Sequence, residues 1–271
     1  MRAAVVQINS TADRARNLER AAFQVEQAAA AGAELVVLPE KWPMLAAGEE
    51  LAEGAQTVDG EAVSAARGWA RGHGVALLAG SFTEAHPEGL PSNTSLLISP
   101  EGEISASYRK IHMFDVDVDG VSYRESSYEQ AGNRLVTADL GQARIGMAIC
   151  YDLRFPELFR ALIDLGANLF TLPSAFTVPT GRDHWEVLVR ARAIENQSFV
   201  LAAGQVGKAE PEYDSWGHSM IVGPWGEVLA EVESGEGFAV ADLDFDRLME
   251  VRQSLPAVNH RRGNLYTEGG A

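Results

Sequence analysis

Along the chain, short apolar runs of strand length alternate with longer stretches whose apolar positions recur every three or four residues. Ala3 to Ile8 reads as a strand, Ala15 to Ala31 as a helix, Glu34 to Leu38 as a strand, Glu61 to His73 as a helix and Val75 to Phe82 as a strand. The alternation resumes with Arg144 to Cys150, Pro156 to Leu165, Asn168 to Leu172, His184 to Asn196 and Phe199 to Val206. That order predicts an α/β fold. Hairpin-like segments lie between these elements, so mixed rather than purely parallel sheets are expected.

Two stretches repeat. Gly32 to Pro39 and Gly166 to Pro173 share the pattern G-A-x-L-x-x-L-P, and Ser95 to Ile104 runs parallel to Ser219 to Val228, each with a Pro-x-Gly turn between β-rich runs. Coincidence between common turn patterns is the bland explanation. The shared order of the two pairs favours two related halves, and two sheets packed face to face with helices outside would accommodate them. No linker or low-complexity tract separates the halves, so the chain reads as one domain over residues 1–271. The polar tail from Asn259 to Ala271 is expected to fray at its end.

With 271 residues and 46% hydrophobic content the chain can bury a sizeable core. A formal charge of −16 with no basic block argues against a nucleic-acid partner. No stretch approaches the roughly 20 apolar residues of a bilayer span, and Met1 to Ser10 lacks the features of an export signal, so a cytoplasmic protein is expected. One cysteine rules out an internal disulfide and multi-cysteine zinc sites. Neither HExxH-type spacing nor a His/Asp/Glu cluster is present, and no GxGxxG or P-loop, so neither metal nor nucleotide cofactor is expected.

That lone cysteine, Cys150, ends an apolar strand run and precedes Tyr151-Asp152-Leu153-Arg154-Phe155-Pro156, where Pro156 suits the first turn of a helix. A side chain at such an elbow is presented at the carboxyl end of a sheet beside free backbone N–H groups. The alternative is a buried strand cysteine. A thiol of pKa about 8.5 needs a base or cation nearby. None of the six histidines stands at a strand end beside an orienting residue, whereas Glu40 follows the run Leu35 to Pro39. Lys110 closes a third such run, Ile104 to Lys110. Alone, each reads equally as a solvated loop or edge residue. A carboxylate, an ammonium and a thiol at three strand ends form a more specific pattern.

The segments Leu38-Pro39-Glu40, Tyr108-Arg109-Lys110-x-His112 and Cys150-Tyr151-Asp152-x-Arg154-Phe155-Pro156-Glu157 together resemble the hallmarks of the nitrilase, or carbon–nitrogen hydrolase, superfamily, over almost the whole chain. The resemblance implies a four-layer α-β-β-α sandwich that pairs into a homodimer across helices near the nucleophile. It implies Glu40 as general base, Lys110 as oxyanion stabiliser, Cys150 as nucleophile, and Glu125 as the second glutamate of the site. The Tyr151 N–H would share the oxyanion.

Cys150 to Glu157, Pro173-Ser174-Ala175-Phe176 and Thr180-Gly181-x-x-His184-Trp185-Glu186 are similar to the branch of deaminated-glutathione amidases and ω-amidases. In that branch, positions matching Arg154 and Thr180 hold the substrate's carboxylate, a task that suits the planar guanidinium fork. The alternative for Arg154 is a structural pair with Asp152 or Glu157, and for Thr180 ordinary turn chemistry; carboxylate binding is favoured for Arg154. Trp185 and Arg192 read as packing residues. The ending Leu255-Pro256-x-x-x-His260-Arg261-Arg262 favours a deaminated-glutathione-like amide over 2-oxoglutaramate, with nitrile or N-carbamoyl hydrolysis and an inactive binding module as weaker rivals.

Overall fold

The computed structural model describes residues 1–209, 213–263 and 265; the expected fraying of the tail falls on 266–271, outside the described residues. Two mixed sheets carry the fold. In the first, Arg2–Gln7, Leu35–Val37 and Ala76–Leu78 run parallel, flanked by antiparallel Gly237–Asp242 on one side and Ser92–Ile98 on the other. In the second, Ala143–Met147, Leu169–Ser174 and Phe199–Gly204 run parallel, flanked by antiparallel Thr137–Leu140 and by Ser219–Val222 with Val228–Val232.

Strand alternation explains the layers. Ala3, Val5, Leu35 and Val37 turn one way into a core shared with Ile145, Met147 and Leu169 of the second sheet. Ala4, Val6, Val36 and Leu38 turn the other way onto helices Arg14–Ala30 and Glu61–His73. Those helices bury Ala21, Val25 and Ala28, and Ala62, Val63, Ala66 and Ala70, an alanine-rich face that lets helix and sheet approach closely. Helices Pro156–Asp164 and Val178–Asn196 cover the second sheet, where Phe159 meets Phe170 edge-on at 5.1 Å. The order is helix, sheet, sheet, helix.

The two halves repeat in detail. Gly32 (φ +86°) and Gly166 (φ +89°) each end a helix in the left-handed conformation that glycine adopts without steric cost. After each, Ala33 N–H donates to Ala28 C=O and Ala167 N–H to Leu162 C=O. Glu34 Oε1 then accepts from Arg2 N–H at 2.7 Å, and Asn168 Oδ1 from Arg144 N–H at 2.8 Å. Farther on, Arg67 Nε donates to Gly102 C=O and Arg190 Nε to Gly226 C=O, so each Pro-x-Gly hairpin is tied to a helix of its own half.

The expected strand Val75 to Phe82 is broken into Ala76–Leu78 and Phe82–Glu84. Gly80 (φ +44°) sits at the break, where a Cβ would collide with the Pro39 carbonyl, so the backbone is free to pass beneath Glu40. The helix expected from His184 begins at Val178, six residues earlier, with Pro179 in its first turn. The Asp-rich loop is a hairpin, Asp115–Val118 with Val121–Arg124, closed by Asp119 and Gly120, both at positive φ. No helix among the described residues is long and apolar enough to cross a membrane.

Candidate active site

Glu40 emerges from strand Leu35–Val37 and lies only 3% exposed. Its Oε2 accepts the Ala175 N–H at 2.8 Å, just past strand Leu169–Ser174 of the other sheet, so repeat-related strand ends meet here. Its Oε1 accepts from Asn93 Nδ2 at 2.9 Å and Lys110 Nζ at 3.2 Å. Lys110 is fixed by its backbone, with N–H donated to Asn93 C=O and C=O accepting from Gly132 N–H. Its ammonium also grips both Glu125 oxygens, at 2.9 and 2.8 Å. Glu125 accepts in addition from Phe114 N–H at 2.6 Å and Asn93 Nδ2 at 3.4 Å.

Strand Ala143–Met147 stops three residues before Cys150, which opens a 3₁₀ turn over Cys150–Arg154 at φ +46°. A non-glycine residue in that region costs on the order of 1–3 kcal/mol and persists where the surroundings over-determine it. The Asp152 carboxylate supplies that hold by accepting the Ile149 N–H at 2.9 Å. The N–H groups of the turn's first residues, Tyr151 among them, have no carbonyl of their own turn to bond.

Burial, the neighbouring Glu40 carboxylate and its hydrogen bond push the thiol pKa well up, against a weaker downward pull from Lys110. Cys150 therefore rests as a thiol, and reaction requires a base to take its proton. For Lys110, burial alone would favour the neutral amine, but Glu125 and Glu40 outweigh it and keep the ammonium charged. The Glu125 carboxyl is correspondingly held low: burial opposes this, and Lys110 and Lys41 overcome it.

Beside this trio lies a second buried pair. Lys41 Nζ donates to Glu129 Oε2 at 3.0 Å, and Thr83 Oγ1 to Glu129 Oε1 at 3.1 Å. Three carboxylates thus face two ammoniums. Burial, with the Glu125 charge, pushes the Glu129 carboxyl up to about 7 despite the opposing pull of Lys41.

Glu40, Lys41, Lys110, Glu125 and Cys150 line a cleft that opens to solvent, while Glu129 lies behind it. All seven site residues expected from the sequence, Glu40, Lys110, Glu125, Cys150, Tyr151, Arg154 and Thr180, line it. Arg154 has no carboxylate within ion-pair distance among the described residues. It donates to His184 Nδ1 at 3.3 Å and lies over Phe176 at 5.3 Å. Asp152, one of the two acids that could have claimed it, is taken by Tyr108 Oη, His112 and Ile149 N–H. Thr180 sits in the first turn of helix Val178–Asn196, its hydroxyl 2.9 Å from that of Thr177. Trp185 and Arg192 are buried packing residues, Arg192 Nε donating to Leu153 C=O at 2.9 Å.

The family profile for carbon-nitrogen hydrolases matches residues 2–253. The chain belongs to the carbon–nitrogen hydrolase family. It is 40% identical to the deaminated glutathione amidase of Synechocystis over 96% of this chain and 97% of that one. To the human omega-amidase NIT2 it is 36% identical over 98% and 96%. It is 42% identical to the nitrilase and fragile histidine triad fusion protein NitFhit of Drosophila melanogaster over 97% of its own length, spanning 58% of that longer protein. The crystal structure of the C. elegans NitFhit protein superposes with a TM-score of 0.92 at 38% identity, covering 98% of this chain and 66% of that one.

Sequence reasoning missed several residues of this carbon–nitrogen hydrolase site. Asn93 ties two carboxylates together, yet in sequence it is one polar residue of the strand Ser92–Ile98. Lys41, the charged residue next to Glu40, is itself buried and paired with Glu129. One expectation needs correction: His112 does have an orienting acid, Asp152, at 2.7 Å. It is not among the residues lining the cleft, whereas Glu40 is. Among the described residues no group of three or more His, Cys, Asp or Glu is placed to hold a metal ion.

Proposed function

We propose that the protein is a thiol amidase that hydrolyses the C–N bond of a small amide bearing a carboxylate on its acyl side. The supporting observation is a neutral thiol beside a buried carboxylate and a charged ammonium, in one cleft with an arginine that no acid among the described residues pairs with. Glu40 takes the thiol proton as Sγ attacks the amide carbon, and the oxyanion develops toward Lys110 and the Tyr151 N–H. Collapse breaks the C–N bond; the amine leaves with the proton held by Glu40, and a thioester remains on Cys150. Glu40 then deprotonates water, which attacks the thioester, and the acid departs as the thiol is restored. Glu125 holds the Lys110 ammonium in place.

The substrate carboxylate is assigned to Arg154, with the N-terminal turn of helix Val178–Asn196 at Thr180 supplying a favourable dipole. A deaminated-glutathione-like amide is the first choice, supported by 40% identity to the deaminated glutathione amidase of Synechocystis against 36% to the human omega-amidase NIT2. The alternative is 2-oxoglutaramate. Both release 2-oxoglutarate, the first with a cysteinylglycine dipeptide and the second with ammonia, so assaying both products separates them. Turnover of nitriles with neither amide cleaved would sink the reading. Arg154→Ala is expected to raise KM about tenfold or more for carboxylate-bearing amides, the scale of one charged hydrogen bond, and little for neutral ones. Equal losses on both would assign Arg154 to the fold.

We place the protein in the cytoplasm, where its free thiol stays reduced; activity in the soluble cell fraction checks this. We also propose a homodimer through helix Val178–Asn196, whose Val187 and Ile194 are exposed, Ile194 against Gly226, the residue after exposed Trp225. Sedimentation is expected to give twice the 29.2 kDa chain mass, and a 29.2 kDa species at micromolar concentration would refute it.

A further inference from the structure

Asp152 is fully buried, and four donors reach its two oxygens. Oδ2 accepts from Tyr108 Oη at 2.7 Å and from Ile149 N–H at 2.9 Å. Oδ1 accepts from His112 N–H at 3.2 Å and His112 Nδ1 at 2.7 Å. An ionised carboxylate only accepts, so Nδ1 is the protonated nitrogen of that ring. Tyr108 remains a donor, because burial and the Asp152 charge hold its phenol pKa well above the usual value. With its acceptor sites filled and no exposed surface, Asp152 has nothing left to offer a substrate.

The partners are not a random set. Tyr108 stands two residues before Lys110 and His112 two after it, while Asp152 stands two after Cys150. The His112 ring is held flat against Phe155, at 3.6 Å and 6°, just past the 3₁₀ turn that Cys150 opens. Through Ile149 N–H the same carboxylate also closes over the backbone of Cys150 from the upstream side.

We propose that Asp152 is a positioning residue: by gripping Tyr108 and His112 it staples the segment carrying Lys110 to the elbow carrying Cys150, and so sets the ammonium–thiol separation. The proposal rests on the amidase reading. The pairing gives the Tyr and His of the Tyr108-to-His112 segment, and the Asp of the elbow, one shared task. One buried and one half-buried side-chain bond fix the register of two segments about 40 residues apart.

The test removes the staple from the lysine side, because Asp152→Asn turns an amide NH₂ against four donors and risks the fold. Tyr108→Phe and His112→Phe keep ring volume and the stack on Phe155 while deleting one side-chain bond each. The double variant is compared with Val63→Ala, a core truncation on the far helix layer that lowers stability without touching the site. Two readouts are taken: kcat and KM on the cleaved amide, and the pH dependence of Cys150 alkylation by iodoacetamide. A displacement near 1 Å costs about 10²-fold, so the double variant is expected to lose kcat on that scale with KM unchanged. Its alkylation midpoint moves to higher pH, since a retreating ammonium releases its downward pull on the thiol. Val63→Ala changes neither. A double variant that keeps the wild-type kcat, or that loses kcat with an unmoved alkylation midpoint, overturns the staple. Alkylation needs no substrate, so it reports on Asp152 even if the amidase reading fails.

Discussion

Cys150→Ala is expected to abolish amide turnover, by a factor on the order of 10⁶, the scale on which loss of a nucleophile acts, while the protein stays folded and still binds substrate. The split follows from what the sulfur does and does not touch. Glu40 is held by Ala175 N–H, Asn93 and Lys110, and Lys110 by Glu125, so none of the charged groups depends on Sγ for its place. The left-handed backbone at position 150 is enforced by Asp152 and by the strand behind it, and alanine tolerates it as cysteine does. Calorimetric titration with 2-oxoglutaramate is expected to show binding without heat from turnover, and the thermal midpoint to stay near that of the wild type. Cys150→Ser is the finer probe. A hydroxyl is far less acidic than the thiol, so Glu40 cannot remove its proton as readily, and serine is expected to remain almost as inactive as alanine. A variant with full turnover would mean that water attacks the amide directly and that the thioester route is wrong.

The parts of the site legible in the sequence are those built from a strand and its end. Apolar periodicity predicts where Leu35–Val37 and Ala143–Met147 lie, and the residues past each strand are presented at its carboxyl end. Glu40 and Cys150 are found in this way, and the G-A-x-L-x-x-L-P repeat anticipates two sheets; that its glycines, Gly32 and Gly166, lie at matching helix ends is visible only in the structure. What escapes is whatever depends on contact between distant segments. Asn93 meets Glu40 across 53 residues, and Lys41 meets Glu129 across 88. No local pattern distinguishes an asparagine that bridges two carboxylates from one that faces water. The same limit explains Lys41, whose adjacency to Glu40 suggests solvent while its side chain is only 5% exposed. Arg154 is the converse case: sequence spacing offers Asp152 as its partner, but four other donors already occupy that acid.

Lys110→Met tests the electrostatic centre of the site, and two losses are expected from it. Removing one oxyanion donor costs about 10²- to 10³-fold in kcat. Removing the counter-charge also strands Glu125 and Glu40 in a buried site, and breaking a buried ion pair from one side costs about 3–5 kcal/mol. The pH dependence separates this cost from ordinary loss of packing. In the wild type the Glu125 pKa is depressed, so its contribution is present above the ordinary carboxylate pKa of about 4.3 and is lost as pH falls through the lower folded value. Without Lys110, burial is opposed only by Lys41 and the Phe114 N–H, so the depression weakens and much of this contribution goes. The stability gap between variant and wild type, read as urea midpoints, is therefore expected to be widest near pH 7 and to shrink as pH falls below the ordinary carboxylate pKa of about 4.3. Lys110→Met/Glu125→Gln removes the stranded charge, and much of the midpoint at pH 7 is expected to return while kcat does not. If the double variant regained kcat along with stability, Lys110 would be a structural counter-ion only, and the oxyanion would have to rest on backbone N–H groups alone.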